Sequence, residues 1–477
     1  MASIKDLIQK SNDALKKEGI QGFSKHVQHY IKSHMQSQPK GTMKDVLFIN
    51  GCSPDLLPHP WRYRVKYQRE QLSMFGMTND EIYYTNITLD LVRNYHTFVI
   101  FRAPYTKQLG QFVKLAKRLH KTVFYDVDDL VISTKYTDTI PYVHTMANKE
   151  RYDQDVMHNG KLLAMCDHAI TTTEALAAEL SSFVNDVSVH RNCAGIDLVK
   201  LSQAVKKSEH ETIRIGYFSG SITHNDDFRR IVGVLCRLFD QYPQLELWCI
   251  GQLDLPDELV NYTERIHVHP FMDYTELPSY IAQVDINLAP LTETLFNAAK
   301  SEIKWIEAAL VKVPTVASDW GAFKTMIEHG QTGLLCRSAQ DWQQALVSLI
   351  ESRSLRQQLA DQAYAYVMEH CISEVCGYDL VQIIQKYSAP NIAFAVSKLE
   401  ISGGIRVMYQ HACMLQDQGW DVSILSYYDK EHWARFDGHA LPVLPLDAKK
   451  MDSRMERVVA TMWPTVSMIE NLPHVDQ

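Results

Sequence analysis

The amino-acid sequence predicts an α/β protein of two doubly wound, Rossmann-like domains in series, followed by the opening of a third. Short apolar runs rich in β-branched residues alternate with longer helical stretches from residue 46 onward. The alternation restarts after the polar segment 200–211, and once more at Asn391. Such alternation implies parallel strands joined by helical crossovers. At 477 residues, 46% hydrophobic and 22% charged, the chain has material for sizeable cores and length for about two to four domains.

Residues 1–44 read as a basic amphipathic helical extension, with Ile4, Leu7, Ile8, Leu15, Ile20, Phe23, Val27 and Ile31 recurring among lysines. Such a helix either packs on the neighbouring domain or rests on the anionic inner face of a membrane. In 45–205, strands are expected at Val46–Asn50, Phe98–Phe101, Thr122–Tyr125, Ala169–Thr172 and Val187–His190, with helices between them. In 206–390, six strands are expected, at Arg214–Phe218, Glu246–Ile250, Ile266–Val268, Ile286–Ala289, Thr315–Ala317 and Gly333–Cys336, and helical sequence fills 353–388. Residues 391–477 open a further βαβ unit, with Ser402-Gly403-Gly404 at the first strand-to-helix turn, where a phosphate or close packing calls for glycine. They read as an incomplete domain, the front part of something longer.

The net charge of −8 leaves no basic excess to neutralise a nucleic-acid backbone. No apolar run approaches the roughly 18 residues of a membrane span, and the N-terminus lacks a signal-peptide core. A cytoplasmic location is expected, with membrane association through the basic extension. Nine scattered cysteines without a C-x-x-C pair point to neither a disulfide framework nor a structural zinc.

The richest stretch is 297–318. A helix is expected over 299–311, before Pro314, placing Lys300, Lys304 and Glu307 at i, i+4 and i+7 on one face. Two cations in the first turns oppose the helix macrodipole and make sense if an anion docks there. Glu307 one turn on can hold a hydroxyl pair, so that Asn297, Lys300, Ser301, Lys304 and Glu307 suit a sugar nucleotide. The alternative is a solvated helix face with Glu302 offsetting the lysines.

Three further places carry polar groups. Asp126, Asp128 and Asp129 end a predicted strand where open α/β sheets bind ligands. They read as a divalent-metal site, as a metal-free cleft with Asp128 on the transferred group, or as helix caps. Ser219, Gly220, Ser221 and His224 follow the first strand of the second domain and offer a phosphate loop or a plain turn with Asn225 as cap. Arg62 and Arg64, in a Pro-rich loop, either reach across a cleft to the same phosphates or stay at the surface.

Taken together, residues 46–388 resemble the family 4 glycosyltransferases of the GT-B fold, in particular bacterial enzymes of cell-surface polysaccharide assembly. The resemblance rests on Val123-Phe-Tyr-Asp-Val-Asp-Asp-Leu130, Cys166-Asp-His-Ala-Ile-Thr-Thr-Thr-Glu-Ala-Leu176, Ile215-Gly-Tyr-Phe-Ser-Gly220, Ala299-Lys-Ser-Glu-Ile-Lys-Trp-Ile-Glu-Ala308 and Val313-Pro-Thr-Val-Ala317. It implies an N-terminal acceptor-side domain, a donor domain whose last helix crosses back over the first, and Glu307 as the ribose ligand. The family's other glutamate on that helix is replaced by Ala299, where Lys300, Lys304 or Glu302 would have to serve. Asp128 stands where many relatives have a histidine, and the usual Arg and Lys pair is missing from 216–225. Residues 391–477, with Ser402-Gly-Gly-Ile-Arg-Val407, resemble the start of a second such transferase.

The resemblance implies a retaining, metal-independent transfer from a nucleotide diphosphate sugar to a lipid-linked or glycan acceptor, with no cofactor beyond that co-substrate. Asp128 and Glu307 are the catalytic candidates, Asp128 as the base should the transfer invert. The rivals are a nucleotide-sugar-binding scaffold and a sugar-nucleotide epimerase of the same fold.

Overall fold

The computed structural model describes residues 43–472 apart from 54, 56, 145, 147, 208–209, 220–224, 252, 430, 448–454 and 471. The N-terminal extension therefore lies outside the described residues. Three sheets follow one another along the chain. Strands β1 (Lys44–Asn50), β2 (Asn79–Tyr83), β3 (Tyr95–Phe101), β4 (Thr122–Asp126), β5 (His168–Thr171) and β6 (Asp186–Val189) form a parallel sheet in the order β2-β1-β3-β4-β5-β6. The unexpected strand is β2, an edge strand whose Asn79, Asp80 and Glu81 give no apolar signal.

The second sheet contains β7 (Ile213–Ser219), β8 (Leu245–Gly251), β9 (Ile266–His269), β10 (Ile286–Ala289), β11 (Thr315–Ser318) and β12 (Leu334–Cys336), all parallel. Its order, β12-β11-β10-β7-β8-β9, is that of a dinucleotide-binding fold. Buried β-branched and leucine residues line both sheets, as strands covered on two faces require.

The third sheet has β13 (Asn391–Val396), β14 (Asp421–Ser426), β15 (Trp433–Phe436), β16 (His439–Pro445) and β17 (Arg457–Ala460) in the order β15-β16-β14-β13-β17, with only the β15/β16 hairpin antiparallel. Ser402 caps the helix Gly403–Asp417, accepting from the Ile405 amide. The module docks on the first domain through buried charge. Lys121 Nζ lies 2.9 Å from both Asp421 carboxylate oxygens, and His96 Nδ1 lies 2.6 Å from one of them. Arg93 donates to the Val443 carbonyl at 2.8 Å.

The chain passes between the first two domains twice. The helix Ser373–Tyr387 returns to the first domain, where Leu380, Val381 and Ile384 share a core with Val46, Phe48, Val65, Leu72 and Phe124. At the crossing, the Ala194 amide donates to the Cys371 carbonyl at 2.8 Å and Ser373 N–H to the Ala194 carbonyl at 2.9 Å. Scattered cysteines gave no hint of pairing, yet Cys193 and Cys376, 183 residues apart, form a disulfide beside this crossing. Only the fold brings them together. Among the described residues no helix is long and apolar enough to cross a membrane.

Asp421→Ala would leave Lys121 buried and unpaired, which costs about 3–5 kcal/mol. Urea denaturation and limited proteolysis around 388–391 should then show the third module detaching before the rest unfolds.

Candidate functional site

Open α/β sheets bind ligands beyond the carboxyl ends of their strands, where strand order reverses. In the second sheet that point lies between β7 and β10. Ser219 is the last residue of β7, but Gly220, Ser221 and His224 lie outside the described residues. The chain after β10 is well defined. Asn297 Nδ2 donates to Asp227 Oδ1 at 2.8 Å and to the Thr292 carbonyl at 3.0 Å, and the Thr292 amide donates to the same Asp227 oxygen at 2.7 Å. Asp227 opens the helix Asn225–Gln241, so Asn297 joins the two segments flanking the switch point.

The single helix expected over 299–311 is broken. One turn, Leu295–Ala298, gives way to a non-helical connector, and a helix restarts over Ile303–Leu310. Lys300 and Ser301 therefore precede the helix, and only Lys304 and Glu307 share its face. The cause is tertiary. Thr173, which caps the helix Glu174–Leu180, donates its hydroxyl to the Ala299 carbonyl at 3.2 Å. Asn192 Nδ2 donates to Ser301 Oγ at 2.9 Å, and Arg191 lies 3.4 Å from the Glu302 carboxylate. These bonds outweigh a helical preference worth a few tenths of a kcal/mol per residue, roughly. Burial pushes the Glu302 carboxyl up to about 7 against the pull of Arg191. Occupied in this way, Glu302 is unavailable to replace the missing glutamate.

Lys304 lies in the first turn beside the end of β7. Its Nζ is buried 4.7 Å from the Tyr217 ring centroid and has no hydrogen-bond partner among the described residues. Burial pushes its pKa down to about 8, opposed in part by Asp227. A desolvated, unpartnered ammonium at a helix N-terminus is a strong anion site. Glu307, one turn further, is also buried, and burial raises its carboxyl above the usual range. Tyr63 Oη of the first domain donates to Glu307 Oε1 at 2.8 Å.

On the facing domain the switch point lies between β1 and β3. A Cβ on Gly51 would sit 2.3 Å from the Arg102 carbonyl oxygen, so glycine alone lets the two loops meet. Arg102 has φ +44°, a conformation that costs a non-glycine residue about 1–3 kcal/mol. Its guanidinium binds Asp128 and lies 3.8 Å from Asp129 Oδ2, and Lys300 Nζ lies 3.8 Å from the same oxygen. Arg102, Asp128, Asp129 and Lys300 thus make one charge cluster between the domains. Sequence reasoning misses Arg102, because a residue just past a buried strand gives no sign of its partners.

Arg62 and Arg64 do not lie in a loop but in the π-helical turn Arg62–Lys66. Arg64 turns inward: its Nε and Nη2 each lie 2.9 Å from an Asp126 carboxylate oxygen, and Nη1 donates to the His190 carbonyl at 2.7 Å. Gln68 donates to Asp126 as well, at 2.6 Å. The expectation that Arg64 and Asp126 contact phosphate or acceptor is thus corrected, since each is the other's buried partner. The aspartate trio is also split. Among the described residues no three His, Cys, Asp or Glu side chains converge to hold a metal. Arg62 does face the second domain, its guanidinium 3.7 Å from the Tyr274 ring centroid and its Nη1 buried without a hydrogen-bond partner among the described residues.

Two such domains face to face, joined by a returning helix, have solved counterparts. HepE of Anabaena, solved in complex with UDP, matches with a TM-score of 0.51 at 14% identity over 72% of this chain and 100% of its own. A glycosyltransferase from Rickettsia africae matches with a TM-score of 0.52 at 11% identity over 73% of this chain and 99% of its own. The fold is GT-B. Within it, residues 214–352 of the second domain match the family model described as glycosyl transferases group 1. No curated protein matches in sequence. The GT-B cleft lies between the two switch points, and the residues brought to it are Lys300, Lys304, Glu307, Asp128, Asp129, Arg102, Arg62 and Tyr63.

Arg64→Met would strand Asp126 in the interior and lower stability by about 3–5 kcal/mol in urea denaturation. An arginine serving the cleft would instead lower ligand affinity at unchanged stability.

Proposed function

We propose that the protein is a retaining, metal-independent glycosyltransferase that moves a sugar from a nucleotide diphosphate donor to a lipid-linked or growing glycan acceptor in cell-surface polysaccharide synthesis. The observation that carries this reading is Lys304, whose buried ammonium at the N-terminus of the helix Ile303–Leu310 has no hydrogen-bond partner among the described residues. A donor diphosphate supplies the charge that this position lacks. HepE, which shares the GT-B fold, is solved with UDP, and this supports a nucleotide as the ligand.

In this reading the diphosphate docks on Lys304 and the free amides of the helix, with Lys300 beside it, and Glu307 takes ribose hydroxyls. As the bond between the anomeric carbon and the phosphate oxygen breaks, Lys304 stabilises the charge developing on the leaving diphosphate. The acceptor oxygen bonds to the anomeric carbon on the same face and passes its proton to a leaving phosphate oxygen, so no separate base is needed. Asp128, oriented by Arg102, holds the acceptor hydroxyl. The third sheet, with its capped helix after β13, is read as a further acceptor-side module.

A second reading, a scaffold that binds nucleotide sugar without turnover, is favoured by one observation. Ala299, at the position of the family's other glutamate, is buried with its carbonyl bound by Thr173. Incubating the protein with a panel of labelled nucleotide sugars and a lipid-linked acceptor separates the two. Sugar transfer that survives chelator and is abolished by Glu307→Ala supports the enzyme, whereas nucleotide binding without any transfer supports the scaffold.

The lysine predicts a pH dependence. Phosphate raises the Lys304 pKa in the complex above its free value of about 8, so affinity is complete below pH 8 and falls as pH rises through it. Calorimetry between pH 7.5 and 9.5 should show nucleotide affinity dropping by up to about tenfold per unit. Lys304→Met should bind weakly and lose that slope.

A further inference from the structure

Glu307 already has a partner, and it comes from the other domain. Tyr63 Oη donates to Glu307 Oε1 at 2.8 Å, both side chains are buried, and burial holds the phenol in its neutral, donating form. The ring packs in an interdomain cluster with Tyr67, Trp305, Ile306, Ala309 and Leu310. Its neighbours in the π-helical turn also grip the second domain. Arg62 stacks on Tyr274, and Lys66 pairs with Asp197, which accepts the Tyr274 hydroxyl at 2.9 Å. Glu307 is only 8% exposed, and the Tyr63 phenol occupies one of its two carboxylate oxygens.

A phenol and a sugar hydroxyl offer a carboxylate the same donor. We propose that Tyr63 is a specificity-determining residue of the nucleotide site, holding Glu307 until a ribose hydroxyl of a nucleoside diphosphate takes its place. Binding then displaces the Tyr63 phenol from the carboxylate, while Arg64, bonded to Asp126, keeps the turn Arg62–Lys66 in place. This rests on the reading of Glu307 as the ribose ligand. At the carboxylate one hydrogen bond is lost as another forms. The function of this exchange is selective: an anion without a hydroxyl-bearing sugar binds Lys304 and leaves the phenol in place. Only a ligand carrying both groups displaces it, and the free energy for doing so comes from its better contacts with the displaced state.

The test is a thermodynamic cycle on the full chain. Kd is measured by calorimetry for UDP, GDP and TDP with the natural protein, Tyr63→Phe, Glu307→Ala and the double variant. Retention of the phenyl ring preserves the packing, and circular dichroism checks the fold. Tyr63→Phe should bind the preferred nucleotide about tenfold tighter, since no buried bond to a charged group is given up on binding. Adding Glu307→Ala should remove that gain, while Glu307→Ala alone changes affinity little. Should Tyr63→Phe bind no tighter while Glu307→Ala binds about tenfold weaker, the exchange is overturned and the ribose ligand stands. Should Glu307→Ala leave the tighter binding of Tyr63→Phe intact, or should no nucleotide bind, both fall.

Discussion

The geometry of the cleft depends on one guanidinium. Arg64 joins three separate pieces of chain: the turn Arg62–Lys66 that carries it, the end of β4 through Asp126, and the segment leaving β6 through the His190 carbonyl and Asn192. Both ionised partners are fully buried, so the attraction must offset a large loss of hydration, and it does so only because nearly every donor and acceptor is matched. A hydrophobic pair of equal volume could stabilise the core as well. It could not fix the direction of a turn. With Arg64 anchored inward, the residues beside it, Arg62 and Tyr63, are carried toward the second domain.

The same segment constrains the opposite wall. Arg191 and Asn192 bond Glu302 and Ser301, and Thr173 bonds the Ala299 carbonyl, so the connector before the helix Ile303–Leu310 is stretched out of helical form. Because the helix begins later than its sequence invites, its free amides and the Lys304 ammonium meet at one place rather than being spread along two turns. The surrounding groups are paired, Glu302 with Arg191 and Asp128 with Arg102. The buried amine of Lys304 and one nitrogen of Arg62 have no hydrogen-bond partner among the described residues.

How far this could be read from sequence follows the range of the forces involved. Strands with continuous apolar runs, such as 46–49 and 98–101, announce themselves, because burial on both faces favours apolar residues throughout. The polar edge strand Asn79–Tyr83 and the hairpin Trp433–Pro445 do not. At the site, Lys304 and Glu307 are visible from helical spacing alone. The displacement of Lys300 is invisible, since it is imposed by side chains more than a hundred residues away. Arg102, Tyr63 and the fate of Arg64 are hidden for the same reason. An arginine in a sequence carries its charge but not the address of its partner.

The double crossing between the domains has a mechanical consequence. The outgoing strand at Ala194 and the returning one at Cys371–Ser373 are bonded to each other, and Cys193 and Cys376 staple them again. Both chain crossings are thus confined to one place, and the other bonds between the domains, Tyr63 to Glu307 and Lys300 to Asp129 among them, are made by side chains. A relative motion of the two domains would pivot at the crossing, with displacement growing in proportion to distance from it.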